Sequence, residues 1–305
     1  MTDDPSFVDI HAHLLPGLDD GPATLAESLH MCELYAEQGV GAVVATPHMC
    51  VPAFNVTAED VRGGVRLLAE ACRIHHIALD ILPGGDVRLC PDLLEALEDG
   101  RALTLAEVGR YLLLELPPQG LPQIEGLVGD LAMRGITPIL SHPERNPEFA
   151  RKPERLAQLV ECGCLLQITG ASFLGEFGSG PKRLAEHLLQ AGLAHVVASD
   201  AHSGLRSRLP RHRQGRRPEF PEVFERLVAI AGEDVAWQLL SVNPGALVAA
   251  CPEALEGPRP GALSAGPRRT DLSSPLRPRR RVRQGRTPLG RWTSLAVVTP
   301  RQTFP

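Results

Sequence analysis

Short apolar runs alternate with stretches of helical periodicity along the first 250 or so residues. The runs are FVDI (7–10), AVVAT (42–46), LDIL (79–82), YLLLEL (111–116), TPIL (137–140), CLLQI (164–168) and HVVAS (195–199). Each has the length and composition of a strand. Helical patterns lie between and after them, near 24–38, 58–75, 91–99, 122–134, 153–162, 181–191, 219–231 and 233–241. Gly39, Gly135, Gly163 and Gly192 stand just past their helices, where a left-handed residue is expected to stop the helix.

Seven strands alternating with helices predict parallel β-α-β units. The runs are apolar nearly throughout, as strands covered on both faces should be. No glycine-rich dinucleotide loop follows the first run, and no phosphate-binding P-loop occurs. The expected fold class is therefore α/β, with the sheet closed into a TIM-barrel-like (β/α)7 barrel. In such a barrel the functional residues gather where the strands end.

That rule makes the residues after each run informative. FVDI is followed by His11 and His13, AVVAT by Pro47-His48, and LDIL by PGGDVR with Asp86. Glu115 lies near the end of YLLLEL. TPIL leads into SHPERN, with His142, Glu144, Arg145 and Asn146, and HVVAS leads into Asp200 and His202. Only CLLQI ends, at Thr169-Gly170-Ala171, without a candidate ligand. Residues two apart on a strand face the same way, so His11 and His13 point into one space. Mixed imidazoles and carboxylates suit Mn, Fe or Zn, and paired ions can clamp attacking and leaving oxygens. The lack of thiolates in the set speaks against a structural zinc site.

Composition narrows the field further. From Gly257 onward there are eleven Arg and one Asp, a net +10; the formal net of −5 then leaves −15 on residues 1–256. An acidic body does not suit specific nucleic-acid binding. The Arg- and Pro-rich segment 257–305 has no periodicity and is expected to be a disordered tail. No apolar run reaches the length of a membrane span, and MTDDPSF is no secretory leader. Seven scattered cysteines point to a reducing, cytoplasmic setting. None has Arg after five residues, which excludes the cysteine-dependent phosphatase loop, and Cys162 and Cys164 are expected to pack rather than react.

The segments DIHAHLLPGLDDG, ATPH, PGGDVRL, LELP, SHPERN and ASDAH, in that order, resemble the PHP (polymerase and histidinol phosphatase) superfamily. More narrowly they resemble the bacterial capsule-type metal-dependent tyrosine-protein phosphatases, the CpsB/YwqE group. The likeness runs from about Phe7 to Leu247, closing on SVNPGAL, and makes residues 1–256 one metallophosphatase domain. It implies a distorted seven-stranded barrel holding up to three divalent ions, usually Mn2+. By position, His11, His13 and Asp200 would hold one ion, with Asp86 and Glu115 shared between ions and His142 on the second. Asp20, His48 and His202 would hold the third, and Arg145 would bind phosphate. One position departs: that group usually has Glu where this chain has Asp86, one methylene shorter.

The implied reaction is hydrolysis of a phosphotyrosine monoester. Tyrosine is a fair leaving group, so a strong general acid is not required; His48 or His202 would return the proton. Three divalent ions against Asp20, Asp86, Glu115 and Asp200 leave a positive centre that attracts a phosphate dianion. The implied partner is a bacterial tyrosine kinase controlling capsule or exopolysaccharide export. The alternative is a small-molecule phosphatase of the same superfamily, such as histidinol-phosphate phosphatase. Asp9 is expected to support a ligand rather than be one, Asp19 to cap its loop, and His75-His76 to face solvent. Glu144 and Asn146 are expected to orient Arg145 or touch substrate.

Overall fold

The computed structural model describes residues 6–205 and 216–249. The Arg-rich tail and the boundary near residue 256 lie outside them. Among the described residues nine parallel strands form two sheets: β1 (Phe7–Ala12), β2 (Val40–Ala45) and β4 (Asp80–Pro83) in one, and β3 (His48–Met49), β5 (Asp86–Arg88), β6 (Tyr111–Glu115), β7 (Thr137–Ser141), β8 (Leu165–Thr169) and β9 (Val196–Ala198) in the other. The sheets are two parts of one barrel. β2 breaks at Thr46-Pro47 and resumes as β3, and β4 breaks at Gly84-Gly85 and resumes as β5. Beyond β9 the chain rejoins β1 through a parallel Ala12–Ala201 bridge, with Asp200 N donating to His11 O at 2.8 Å and His13 N to Ala201 O at 2.8 Å. Seven strand positions thus close on themselves, as the alternation predicts.

Helices α1 (Leu25–Glu37), α2 (Ala58–Ile74), α3 (Leu93–Glu98), α4 (Glu125–Met133), α5 (Pro147–Arg151), α6 (Glu154–Glu161), α7 (Gly170–Leu174) and α8 (Ser179–Gln190) connect the strands. Helices α9 (Phe220–Ala231), α10 (Glu233–Trp237) and α11 (Asn243–Val248) follow β9. Two of the starts have a local cause. Thr57 and Asp60 form a reciprocal capping box on α2, and the Thr24 hydroxyl accepts from Glu27 N on α1. All four stop glycines adopt positive φ, for example +78° at Gly39.

Alternation along the strands sorts the core into two. Ile10, Val44, Leu113, Ile139 and Val196 fill the barrel interior, floored by Leu105 and Leu247. Leu112, Leu114, Leu166 and Val197 face outward onto the helices. The interior face continues at the C-terminal mouth: Tyr111 and Leu113 lead to Glu115, Leu165 leads to Gln167, and Val196 and Ala198 lead to Asp200. The period that builds the core therefore also delivers polar side chains to one end of the barrel. Among the described residues no helix is long and apolar enough to cross a membrane.

Candidate metal centre

The nine residues singled out as ligands all meet at this mouth. Their donor atoms fall into four overlapping groups: His13, Asp20, His48 and His202; His11, His142 and Asp200; His11, His13 and Asp86; and His48, Asp86 and Glu115. Within each group the atoms lie within 4.8 Å of one another. His11 Nε2 is 3.3 Å from Asp200 Oδ1 and 3.8 Å from Asp86 Oδ2, and His48 Nδ1 is 3.2 Å from Asp86 Oδ2. Asp20 Oδ1 lies between His48 Nε2 at 3.5 Å and His202 Nε2 at 3.3 Å. Compared with the expected sharing, His13 also joins the group of Asp20, and His142 pairs with His11 and Asp200.

Local structure aims each group. β1 slips in its pairing with β2 between Asp9 and Ala12. Asp9 consequently turns out to Tyr35 of α1 and to Ser199, while His11 turns in. Asp9 also accepts from His11 N and Ser199 N, fastening the two ligand-bearing strands together. His48 and Asp86, read as following the runs AVVAT and LDIL, stand opposite each other on short strands of their own, β3 and β5. The shorter Asp86 still reaches the cluster because its strand resumes there. His142 and Asp200 carry φ of +34° and +52°, left-handed values that non-glycine residues seldom adopt.

The buried atoms fit a metal. Asp86 is fully buried, yet neither of its carboxylate oxygens accepts a hydrogen bond; the same holds for Asp20 Oδ1 and His48 Nδ1. Such unpaired polar atoms cost several kcal/mol unless a cation or donor compensates them, roughly 1–3 kcal/mol or more each. The protonation states suit cation binding. Burial disfavours the charge on Asp86 and Asp200, but neighbouring His11 for Asp86, and Arg216 and Arg145 for Asp200, hold both below the usual carboxylate range. Burial, with His13 and Arg216 nearby, pushes His202 down to about 3, and burial with Arg145 depresses His142. His13 goes the other way, to about 10, because Asp19 and Asp200 outweigh its burial. The Nε2 proton, beside Asp200, is the one a metal cation would replace, while Nδ1–H stays on Asp19.

Sequence reasoning missed three supporting residues. Asp19 does more than cap its loop: Oδ2 is 2.6 Å from His13 Nδ1 and accepts from His48 N at 3.0 Å. Gln167 Oε1 is 2.9 Å from His11 Nδ1 and accepts from His142 N at 3.2 Å, so the strand without a ligand braces two of them. These contacts fix ring orientation and tautomer. Arg216 Nη1 lies 3.1 Å from Asp200 Oδ2, and its Nη2 lies 2.6 Å from His202 Nε2. Arg216 follows β9 by a long connection and has no local pattern to mark it; Asp19 is marked only by its place beside Asp20, and Gln167 only as the polar residue inside the apolar run CLLQI.

Arg145 stands in a short 3-10 turn (Pro143–Arg145) after β7 and donates from Nη1 to Asp200 Oδ2 at 2.5 Å. Glu144 anchors that turn: its buried carboxyl accepts from Thr169 N at 3.0 Å and Ser172 Oγ at 2.7 Å, and burial pushes its pKa up to about 7. Asn146 caps α5 and bonds to Pro117 O and Gly120 O, a purely structural role. Arg88 holds Glu115 through Nε–Oε2 at 2.7 Å. His75 and His76 are exposed and Cys164 is buried, as expected, but Cys162, expected to pack, is exposed because it stands just past the end of α6.

A family model for capsular polysaccharide synthesis, CpsB/CapC, matches residues 7–249. The chain belongs to the CpsB/CapC family. It is 36% identical over 198 residues to the tyrosine-protein phosphatase YwqE of Bacillus subtilis (strain 168), covering 65% of this chain and 78% of that protein. It is 32% identical over 248 residues to the tyrosine-protein phosphatase CpsB of Streptococcus pneumoniae, covering 79% of this chain and 98% of CpsB. A chain from the crystal structures of YwqE and CpsB, described as unique metal-dependent tyrosine phosphatases, superposes with a TM-score of 0.72 at 32% identity; the match covers 79% of this chain and 94% of that one. The capsule-type resemblance read from the motifs is therefore the family this chain belongs to.

Proposed function

We propose that this CpsB/CapC-family chain is a metal-dependent phosphoric monoester hydrolase acting on protein phosphotyrosine. The observation that carries the reading is the convergence of His11, His13, Asp20, His48, Asp86, Glu115, His142, Asp200 and His202 at the barrel mouth beside Arg145. Its relatives YwqE and CpsB are tyrosine-protein phosphatases, and the small-molecule alternative draws no support from them. We assign these nine residues as ligands and Mn2+ as the resident ion, since nitrogen and oxygen donors without thiolate suit Mn2+ ahead of softer ions, with Fe or Zn as substitutes.

When bound, divalent ions supply charge to neutralise the phosphate and lower the pKa of water. The chain's own residues do the rest. Arg145 keeps one edge on Asp200 and offers its remaining N–H groups to a phosphate oxygen in planar geometry. Arg216 adds a second guanidinium on the same carboxylate. Asp19 and Gln167 hold His13 and His11 in fixed tautomers. His48 is more exposed than His11, His13 or His202, and so is placed to return a proton to the departing tyrosine oxygen. The proposed partner is a cytoplasmic tyrosine kinase governing capsule or exopolysaccharide export, whose phosphorylated segment would enter the mouth. The test is phosphate release from a phosphotyrosine peptide by chelator-stripped protein titrated with Mn2+. Release that rises with the metal supports the reading; none, with metal bound, overturns it.

A further inference from the structure

Every aromatic side chain among the described residues packs into one of the two hydrophobic clusters except Phe177. Its ring is partly exposed, and the Arg145 guanidinium carbon lies 5.0 Å from its centroid. Phe54 also faces a site residue, stacking on His48 at 5.8 Å, but Phe54 is anchored against the core. Phe177 has no such anchor.

The backbone presents it deliberately. Gly175, at φ +88°, ends α7, with its N–H on Ala171 O and Ser172 O. Gly178, at φ +89°, donates to Gly175 O at 2.9 Å and opens α8. Phe177 is thus fixed in a four-residue turn. That turn belongs to the loop after β8, the one strand position whose end supplies no metal donor. The loop brings an unburied ring to the phosphate-binding arginine instead. A guanidinium stacked on a ring keeps its in-plane N–H groups for phosphate, and a ring beside it is where the organic part of a bound ester would lie.

We propose that Phe177 is the contact for the phenyl ring of the substrate and sets the preference for aryl over alkyl phosphate esters. The proposal rests on the phosphotyrosine reading above. Aromatic pairs prefer offset or edge-on packing beyond simple area burial, so the contact is selective for a flat ring.

The test compares the metal-loaded unmodified chain with Phe177→Ala, Phe177→Leu and Phe177→Tyr. For each, kcat and KM are measured on a phosphotyrosine peptide, with competitive inhibition by inorganic phosphate and Mn2+ content. Phe177→Ala should lower kcat/KM about ten-fold through KM, and Phe177→Leu nearly as much. The phosphate inhibition constant and metal content should stay constant, and Phe177→Tyr should restore KM. An unchanged KM in Phe177→Ala overturns the proposal. So does a phosphate inhibition constant that rises in step with KM, which makes Phe177 a prop for Arg145. No metal-dependent release by the unmodified chain sinks the phosphotyrosine reading itself and this proposal with it; failure confined to the variants sinks the proposal alone.

Discussion

Arg145 and Asp200 share a single edge: Nη1 sits 2.5 Å from Oδ2, while the other oxygen, Oδ1, faces His11 at 3.3 Å and His13 at 3.5 Å. The carboxylate therefore separates an arginine side from an imidazole side. Arg145→Ala should lower kcat about 100-fold, the usual cost of removing one donor to developing negative charge, without loss of Mn2+. Steady-state kinetics with elemental analysis of the same samples checks it. Metal lost along with activity would make the arginine a support for Asp200 rather than a phosphate contact.

Asp19 makes a short contact with a histidine of the cluster, 2.6 Å from Oδ2 to His13 Nδ1. Asp19→Asn keeps the shape and removes the charge. It should weaken Mn2+ affinity about 10- to 100-fold, with kcat at saturating metal nearly unchanged. Calorimetric titration of chelator-stripped protein reads this directly, and an unaltered affinity would reduce Asp19 to a loop cap.

The unpaired oxygens of Asp86 predict coupling between metal and stability. Mn2+ at 100 times its dissociation constant should stabilise the fold by about 2.7 kcal/mol per site, and a chelator should remove the gain. Asp86→Ala should abolish most of the Mn2+-induced rise in Tm. An equal rise in both proteins would take Asp86 out of the ligand set.

His195 lies away from the cluster. Its Nδ1 accepts from Leu166 N at 3.1 Å, and burial pushes its pKa down to about 4 against an ordinary 6.5. Because the folded value is the lower one, the unfolded chain takes up the proton first as pH falls. Stability is complete above about pH 6.5 and declines down to about pH 4, by at most on the order of 3 kcal/mol for this group. His195→Asn retains an acceptor without the titration. In chelator-stripped protein, urea unfolding at pH 7.5 and 5 should show a smaller loss for His195→Asn; equal losses would clear His195 of the effect.

The barrel and its mouth were legible because one period wrote both. The alternation that makes Leu113 an interior residue makes Glu115 a mouth residue, and His-x-His needs only one strand to be recognised. The helix stops at Gly39 and Gly163 were legible for the same local reason. Residues joined to the site by chain closure were not. Gln167 reads as one polar residue in a buried strand until β8 is set across the barrel from His11. Arg216 reaches Asp200 after a long connection that no spacing rule covers. The runs AVVAT and LDIL end by apolar pattern before Pro47 and Gly84-Gly85, so nothing in the sequence shows that backbone pairing resumes beyond these breaks.

That second break also limits which side chains this strand can carry. A Cβ at Gly84 would come 2.7 Å from Val44 Cγ1, and one at Gly85 would come 2.5 Å from Met49 Sδ. The loop after β8, by contrast, carries no metal donor, so its turn can be exchanged without disturbing the ion-binding set. Ion binding and ring contact thus sit on separate pieces of chain: a side chain at either glycine would force a ligand-bearing strand aside, whereas a change in the Phe177 turn would leave those strands where they are.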